Sequence, residues 1–206
     1  MSIPKKAEIY YCRNPYFKGH EQGEHSQDSM KRPYLCVFGN KNYMLGFAMT
    51  TKTKQTKNYP SHTNIITSQS EIMLDQLHII MMEDIENFKW KLSDNDYNNV
   101  INNFVNQIIA DEPVHQYSKV SFCNIISLEH NNPILSDYFD YIIVSSNKFH
   151  ISGMCYIAPI ENGNLKFEYL HAIDYREREF SRISEIPYTE KDILDLRTSL
   201  TDTLKI

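Results

Sequence analysis

Three residues in the first quarter of the chain carry side chains suited to charge developing at phosphorus: Glu21, Arg32 and Thr50. A guanidinium offers phosphoryl oxygens a rigid fork of donors, a hydroxyl beside it adds another, and a carboxylate can orient the guanidinium or take up a proton. Directly after Thr50 the chain reads Thr51-Lys52-x-Lys54-Gln55-x-Lys57-x-Tyr59, lysines alternating with polar and aromatic residues. That composition suits a single nucleic-acid strand, with lysines neutralising phosphates and Tyr59 or Tyr16 stacking on a base. The same residues also fit a plain solvated loop, an arginine flanking a strand and a loop acid. Residue type alone leaves both readings open.

These residues have to be held by the elements around them. Ala7 to Cys12, Tyr34 to Phe38 and Tyr43 to Met49 are short runs rich in Tyr, Ile, Val and Phe and read as strands; Asn64 to Thr67 and Ile72 to Ile80 continue the series. Gly39-Asn40-Lys41-Asn42 is hairpin material, and Arg13 to Lys31 is a polar loop containing Gly19 and Gly23. From Ser93 the positions Tyr97, Val100, Ile101, Phe104, Val105 and Ile108 fall on one face of a helix, opened by Ser93-x-x-Asp96, close to a capping box. Asp111-Glu112-Pro113 reads as a linker.

The second half echoes the first. Leu74-Asp75-Gln76-Leu77-His78-Ile79-Ile80 and Phe167-Glu168-Tyr169-Leu170-His171-Ala172-Ile173 share an acid, a Leu-His pair and a closing Ile at a displacement of 93. Thr189-x-x-Asp192 then repeats the helix start at a displacement of 96, before a stripe of Ile193, Leu194, Leu196, Leu200 and Leu204. Val120 to Ile126, Tyr141 to Ser145, Gly153 to Ile157 and Leu165 to Ile173 read as strands, with Asn162-Gly163 as a hairpin turn. The expected fold is mainly β in the α+β class: two SH3-like small β-barrels, residues 1–110 and 111–206, each closed by a C-terminal helix. Two coincidental strand-loop-helix endings are the plainer alternative.

With 206 residues, each half is long enough to bury a core of its own. No apolar run is long enough to span a bilayer and no leader is visible, so a cytoplasmic protein without a membrane partner is expected. Cys12, Cys36, Cys123 and Cys155 stand far apart without CxxC spacing, and neither a metal, a disulfide framework nor a cofactor is expected. The net charge of -5 hides an asymmetry. Residues 1–57 hold ten basic and four acidic residues, whereas residues 111–206 hold nine basic and fifteen acidic, and a basic segment of that kind can meet a polyanion.

Taken in order, several short motifs make residues 6 to 108 resemble the MazF/PemK toxin family, the ribonuclease arm of bacterial toxin-antitoxin pairs. They are Asn14-Pro15, Gly19-His20-Glu21-Gln22-Gly23 (similar to the family's Gly-Ser-Glu-Gln-Gly loop), Arg32-Pro33, Ala48-Met49-Thr50-Thr51 and Ser70-Glu71-Ile72-Met73-Leu74-Asp75-Gln76-Leu77 (its fifth-strand signature). The chain departs from the family in Glu24 to Lys31, extra residues that lengthen a loop expected over the active site. The resemblance implies barrels of the CcdB/PemK type and assigns catalysis to Arg32 and Thr50, with Glu21 matching a loop acid. It further implies metal-free cleavage of single-stranded RNA: the 2'-hydroxyl attacks the adjacent phosphorus, leaving a 2',3'-cyclic phosphate and a 5'-hydroxyl. Gln22, Lys31, Thr51, Lys52, Lys54, Lys57, Tyr59 and Gln76 are the accompanying RNA-binding candidates. His20 and His25 have no place in the family motif. The implied partners are RNA and a cognate antitoxin whose acidic peptide blocks the basic groove.

Anchoring Gly46 on Gly153 aligns the halves so that Asp140 falls opposite Arg32 and Ile157 opposite Thr50. A second half so altered is expected not to cleave, and to serve as the partner subunit of an intrachain pseudo-dimer, with further homodimerisation open. Two rivals stand beside this reading: a CcdB-like gyrase-binding toxin, and a catalytically silent interaction module.

Overall fold

The computed structural model describes residues 2–13, 31–50, 62–64, 70–107, 109, 122–130, 132–145, 154–176, 179–187 and 189–206. In the first half β1 (Glu8–Cys12), β2 (Arg32–Gly39), β3 (Tyr43–Thr50), β4 (His62–Asn64), β5 (Glu71–Met81) and β6 (Ile85–Lys91) are followed by α1 (Asp94–Gln107). The second half supplies β7 (Asn124–Ser127), β8 (Asp140–Ile143), β9 (Met154–Glu161), β10 (Asn164–Leu165), β11 (His171–Asp174), β12 (Ser181–Glu185) and α2 (Glu190–Leu204). One antiparallel sheet runs β4-β5-β3-β2-β1-β6; the other runs β10-β9-β8-β7-β12, with β11 also on β9. The order β11-β9-β8-β7-β12 thus reproduces β5-β3-β2-β1-β6.

Two strands depart from the sequence reading. Ile-Glu-Asn-Phe-Lys-Trp-Lys of β6 and Ser-Arg-Ile-Ser-Glu of β12 look like charged connections but are edge strands, with Asn87, Phe88 and Lys89 of β6 and Ser181, Ile183 and Ser184 of β12 exposed to water. Closed barrels were expected; among the described residues the sheets are open, and β5 and β6 share no register. The geometry still demands strong curvature. A single three-residue 3-10 turn, Met82–Asp84, carries the chain from β5 to β6, which lies beyond β1 on the far side of the sheet. The local signals act as the sequence indicates. Asn162 and Gly163 adopt positive φ of 52° and 78° in the β9–β10 hairpin, and the Ser93 hydroxyl caps α1 by accepting from Asp96 N at 3.1 Å. Thr189 completes a full capping box on α2 with Asp192.

The two halves share one core. Its largest cluster takes Leu35, Phe47, Leu77 and Phe104 from the first and Ile142, Tyr156, Ala172 and Leu200 from the second. Phe104 sits between Phe47 and Tyr156, with ring centroids at 5.0 and 5.1 Å. Polar contacts cross the same boundary: Tyr97 Oη donates to Leu204 O at 2.6 Å and Tyr43 Oη to Glu168 O at 3.0 Å. The outer face of each sheet buries a smaller cluster of its own.

A bulge in β5 depends on the other half. Between the pairs Phe47↔Leu77 and Met49↔Ile72, β3 advances two residues while β5 advances five, which takes part of β5 out of the β3 ladder. Tyr156 Oη answers the bulge, donating to Leu74 O at 2.5 Å and accepting from Leu77 N at 3.2 Å in a fully buried position. Tyr156→Phe keeps the packing but strands two buried backbone groups, and costs about 1–3 kcal/mol for each group left unsatisfied. Urea unfolding measures it; an unchanged midpoint removes the clamp from the account.

Candidate active site

Strand register sets a row of residues across one end of the first sheet. Cys12 pairs with Arg32, Thr50 with Glu71, and Glu71 with Asn64. Tyr34 pairs with Ala48, and two residues beyond that pair Arg32 and Thr50 stand at the facing ends of β2 and β3. Alternation fixes the face. Leu35, Val37, Phe47, Met49 and Ile72 point to the shared core, whereas Tyr34, Cys36, Ala48 and Met73 join the outer cluster. Arg32, Thr50 and Glu71 therefore share the outer face of the sheet.

Arg32 is half-buried, and its Nη1 is buried with no hydrogen-bond partner among the described residues. A guanidinium nitrogen so placed is costly to leave unmet, and an anion in front of it would supply the missing acceptor. Two ionisable neighbours, Tyr34 and Cys12, do not. Burial pushes the Tyr34 phenol well above its ordinary range against the smaller opposing pull of Arg32, so it stays neutral. Burial likewise pushes up the Cys12 thiol, which excludes a ready thiolate nucleophile.

Beside this row, Glu86 gathers two further cations. Lys31 Nζ lies 2.8 Å and Arg13 Nε 3.0 Å from its carboxylate, which is held below the usual carboxyl range chiefly by the hydrogen bond from Lys31. Exposed pairs of this kind add little stability, and their consequence is to hold Lys31 at the rim next to Arg32.

Gln76 lies elsewhere. It is buried, its Oε1 3.1 Å from His78 Nε2. Glu21, Gln22, Thr51, Lys52, Lys54, Lys57 and Tyr59 fall outside the described residues, as do Tyr16, His20 and His25. The structure thus brings together Arg32, Thr50 and Lys31, and adds Glu71, Arg13 and Glu86. An acid at a strand start gives no local signal of a site; only the register opposite Thr50 marks Glu71.

The second sheet allows the counterparts to be read by geometry. Tyr34 meets His78 edge-on at 6.3 Å and 83°; Tyr141 meets His171 at 6.1 Å and 86°. His78 pairs with Gly46 and His171 with Ile157, so Ile157 stands in the place of Gly46. Continuing along β9, Glu161 takes the place of Thr50. Tyr141 in the place of Tyr34 puts Phe139 in that of Arg32. The alignment on Asp140 and Ile157 is corrected accordingly: along β8 it was one residue out of register, and one residue turns a strand's faces over. Phe139 is 56% exposed and Glu161 is paired with Lys166 at 2.6 Å. Neither replaces an arginine or a threonine as a donor to phosphate.

No described helix is long and apolar enough to cross a membrane. A search of curated proteins finds no match. The family model of PemK-like, MazF-like toxins of type II toxin-antitoxin systems matches residues 5–108, which include the whole row from Cys12 to Glu71. That match covers half of the chain, and the chain belongs to the PemK-like, MazF-like toxin family of type II toxin-antitoxin systems.

Proposed function

We propose that the chain is a toxin-type endoribonuclease that cuts single-stranded RNA without a metal ion, in the cytoplasm, and that a cognate antitoxin restrains it. The observation that carries this reading is the placing of Arg32 and Thr50 at facing strand ends, with a buried guanidinium nitrogen that has no acceptor among the described residues. A phosphodiester set there receives donors from both side chains. The 2'-hydroxyl oxygen attacks phosphorus, its proton passes to a base for which Glu21 is the candidate, and the P–O5' bond breaks. The departing oxygen gains a proton, and the products are a 2',3'-cyclic phosphate and a 5'-hydroxyl. Arg32 and Thr50 stabilise the charge gathering on the phosphoryl oxygens. A rigid fork of guanidinium donors is better suited to that task than to proton donation.

The second half, residues 111–206, is read as a diverged SH3-like copy of the first, residues 1–110. It takes the place of a partner subunit and leaves one active site per chain, a reading supported by the common strand order and by Phe139 and Glu161 at the counterpart positions. The test is incubation of the purified chain with end-labelled single-stranded RNA in excess EDTA. Cleavage that leaves ends directly phosphorylated by a polynucleotide kinase is expected. Intact RNA together with capture of gyrase would favour the CcdB-like alternative, and intact RNA with neither activity a silent interaction module.

A further inference from the structure

Strand β6 runs against β1 with two bulges. Ile9 pairs with Trp90 and Tyr10 with Phe88, which leaves Lys89 over; Tyr11 pairs with Asn87 and Cys12 with Ile85, which leaves Glu86 over. A bulge bends its strand and re-aims the extra side chain, and both extra residues are charged. Lys89 Nζ donates to Tyr11 Oη at 2.7 Å and lies 4.6 Å from the centre of the Tyr11 ring and 4.7 Å from that of Trp90. Glu86 holds Arg13 and Lys31, one carboxylate to two cations. Three cations are thereby fixed along the β1–β6 edge while staying open to water: the side chains of Arg13 and Lys31 are 57% and 48% exposed, and Lys89 is exposed as well.

Contacts of this kind at exposed sites add only about 0–1 kcal/mol each, so fold stability does not account for two charged bulges. Fixed cations suit binding, because less side-chain freedom is lost when an anion arrives. Spacing and continuity name the anion. Tyr11, which carries Lys89, and Arg13 are two residues apart, about 7 Å at the rise of a strand, a step that one extended nucleotide spans. Lys31 adjoins Arg32, so a strand whose phosphodiester sits at Arg32 can run on past Lys31 and Arg13 to Lys89.

We propose that Lys31, Arg13 and Lys89 form a phosphate track that holds the RNA strand on one side of the cut, with Glu86, Tyr11 and Trp90 keeping the cations in place; the proposal rests on the endoribonuclease reading above. An acidic peptide also carries negative charge, but continuity with Arg32 favours the strand that is to be cut. The experiment measures the affinity of the full chain for oligoribonucleotides with one 2'-deoxy residue at the mapped cut, lengthened step by step on either flank, and repeats the longest at several salt concentrations. Affinity is expected to climb with length on one flank, and Lys89→Gln to flatten that climb. The slope of log affinity against log salt becomes shallower by about 0.7 in Lys89→Gln, one phosphate contact on a single strand, and by about as much again when Arg13→Gln is added. Lys89→Arg, which keeps the charge, keeps the wild-type slope. A merely structural Lys89 would lower the melting temperature and leave the slope alone. If the wild-type chain cuts RNA and Lys89→Gln has the wild-type slope, the track is removed and the endoribonuclease reading stands. The same holds if Lys89→Gln loses affinity for poly-glutamate but none for RNA, which would give the edge to an acidic partner. A wild-type chain that neither binds nor cuts RNA removes both readings.

Discussion

Replacing Arg32 with alanine lowers RNA cleavage by about 10²–10³-fold, the loss typical of removing a donor aimed at developing oxyanion charge. The protein stays folded, because the deleted group is one the fold does not satisfy: Nη1 of Arg32 is buried without a hydrogen-bond partner among the described residues. Alanine removes an unmet donor from the end of β2, where Cys12 and the Tyr34 ring keep their places. Stability is therefore unchanged within about 1 kcal/mol, or slightly raised. Arg32→Lys does not restore the rate, since an ammonium presents a point charge instead of a planar fork. Single-turnover cleavage and thermal melting of the same preparations check both halves of the prediction. Activity that survives the substitution, or that is lost only in step with melting, moves the active site elsewhere.

Phe104→Ala destabilises the chain by about 3–5 kcal/mol, the cost of emptying an aromatic site in a core that cannot collapse around it. That is a large share of the roughly 5–15 kcal/mol that holds a typical protein folded. Phe104 is fully buried between Phe47 of the first sheet and Tyr156 of the second, so the cavity opens on both halves. Both halves accordingly unfold in one transition, shifted to lower denaturant. Fluorescence of Trp90, the one tryptophan and a residue of β6, reports the first half. Far-ultraviolet circular dichroism reports the whole chain, and coincident curves are the expected outcome. Two separated transitions, with the first half alone responding, would show that the halves melt as independent units.

The core also marks the limit of what the sequence reveals about the fold. Helix α1 is legible because its apolar stripe repeats at helical spacing and Ser93 caps it. Strands β1, β2 and β3 are legible because their runs of Tyr, Ile, Val and Phe are short and bounded by turn residues. Strands β6 and β12 are not, because an edge strand buries little, and exposed positions such as Asn87, Lys89, Ser181 and Ser184 carry residues that a loop would. The Leu165 to Ile173 stretch reads as one strand but is β10, a 3-10 turn at Phe167–Tyr169 and β11. Local composition does not report the pairing partner that would keep a strand straight.

The candidate site divides in the same way. The sequence by itself determined the family, through motifs in a fixed order, and the resemblance singled out Arg32 and Thr50 as the residues that match its catalytic pair. It also determined the echo of Leu77-His78 in Leu170-His171, which the structure places against equivalent partners, Gly46 and Ile157. Tertiary structure decided what depends on which strand lies beside which. It put Glu71 opposite Thr50, buried Gln76 against His78, and set Tyr156 of the second half against the backbone of the first. It also replaced Asp140 and Ile157 by Phe139 and Glu161 as the counterparts of Arg32 and Thr50. The physical reason is that residue type and spacing act along the chain, within a few residues, whereas register acts across it. A slip of one residue, invisible to composition, exchanges the buried face of a strand for the face that meets the substrate.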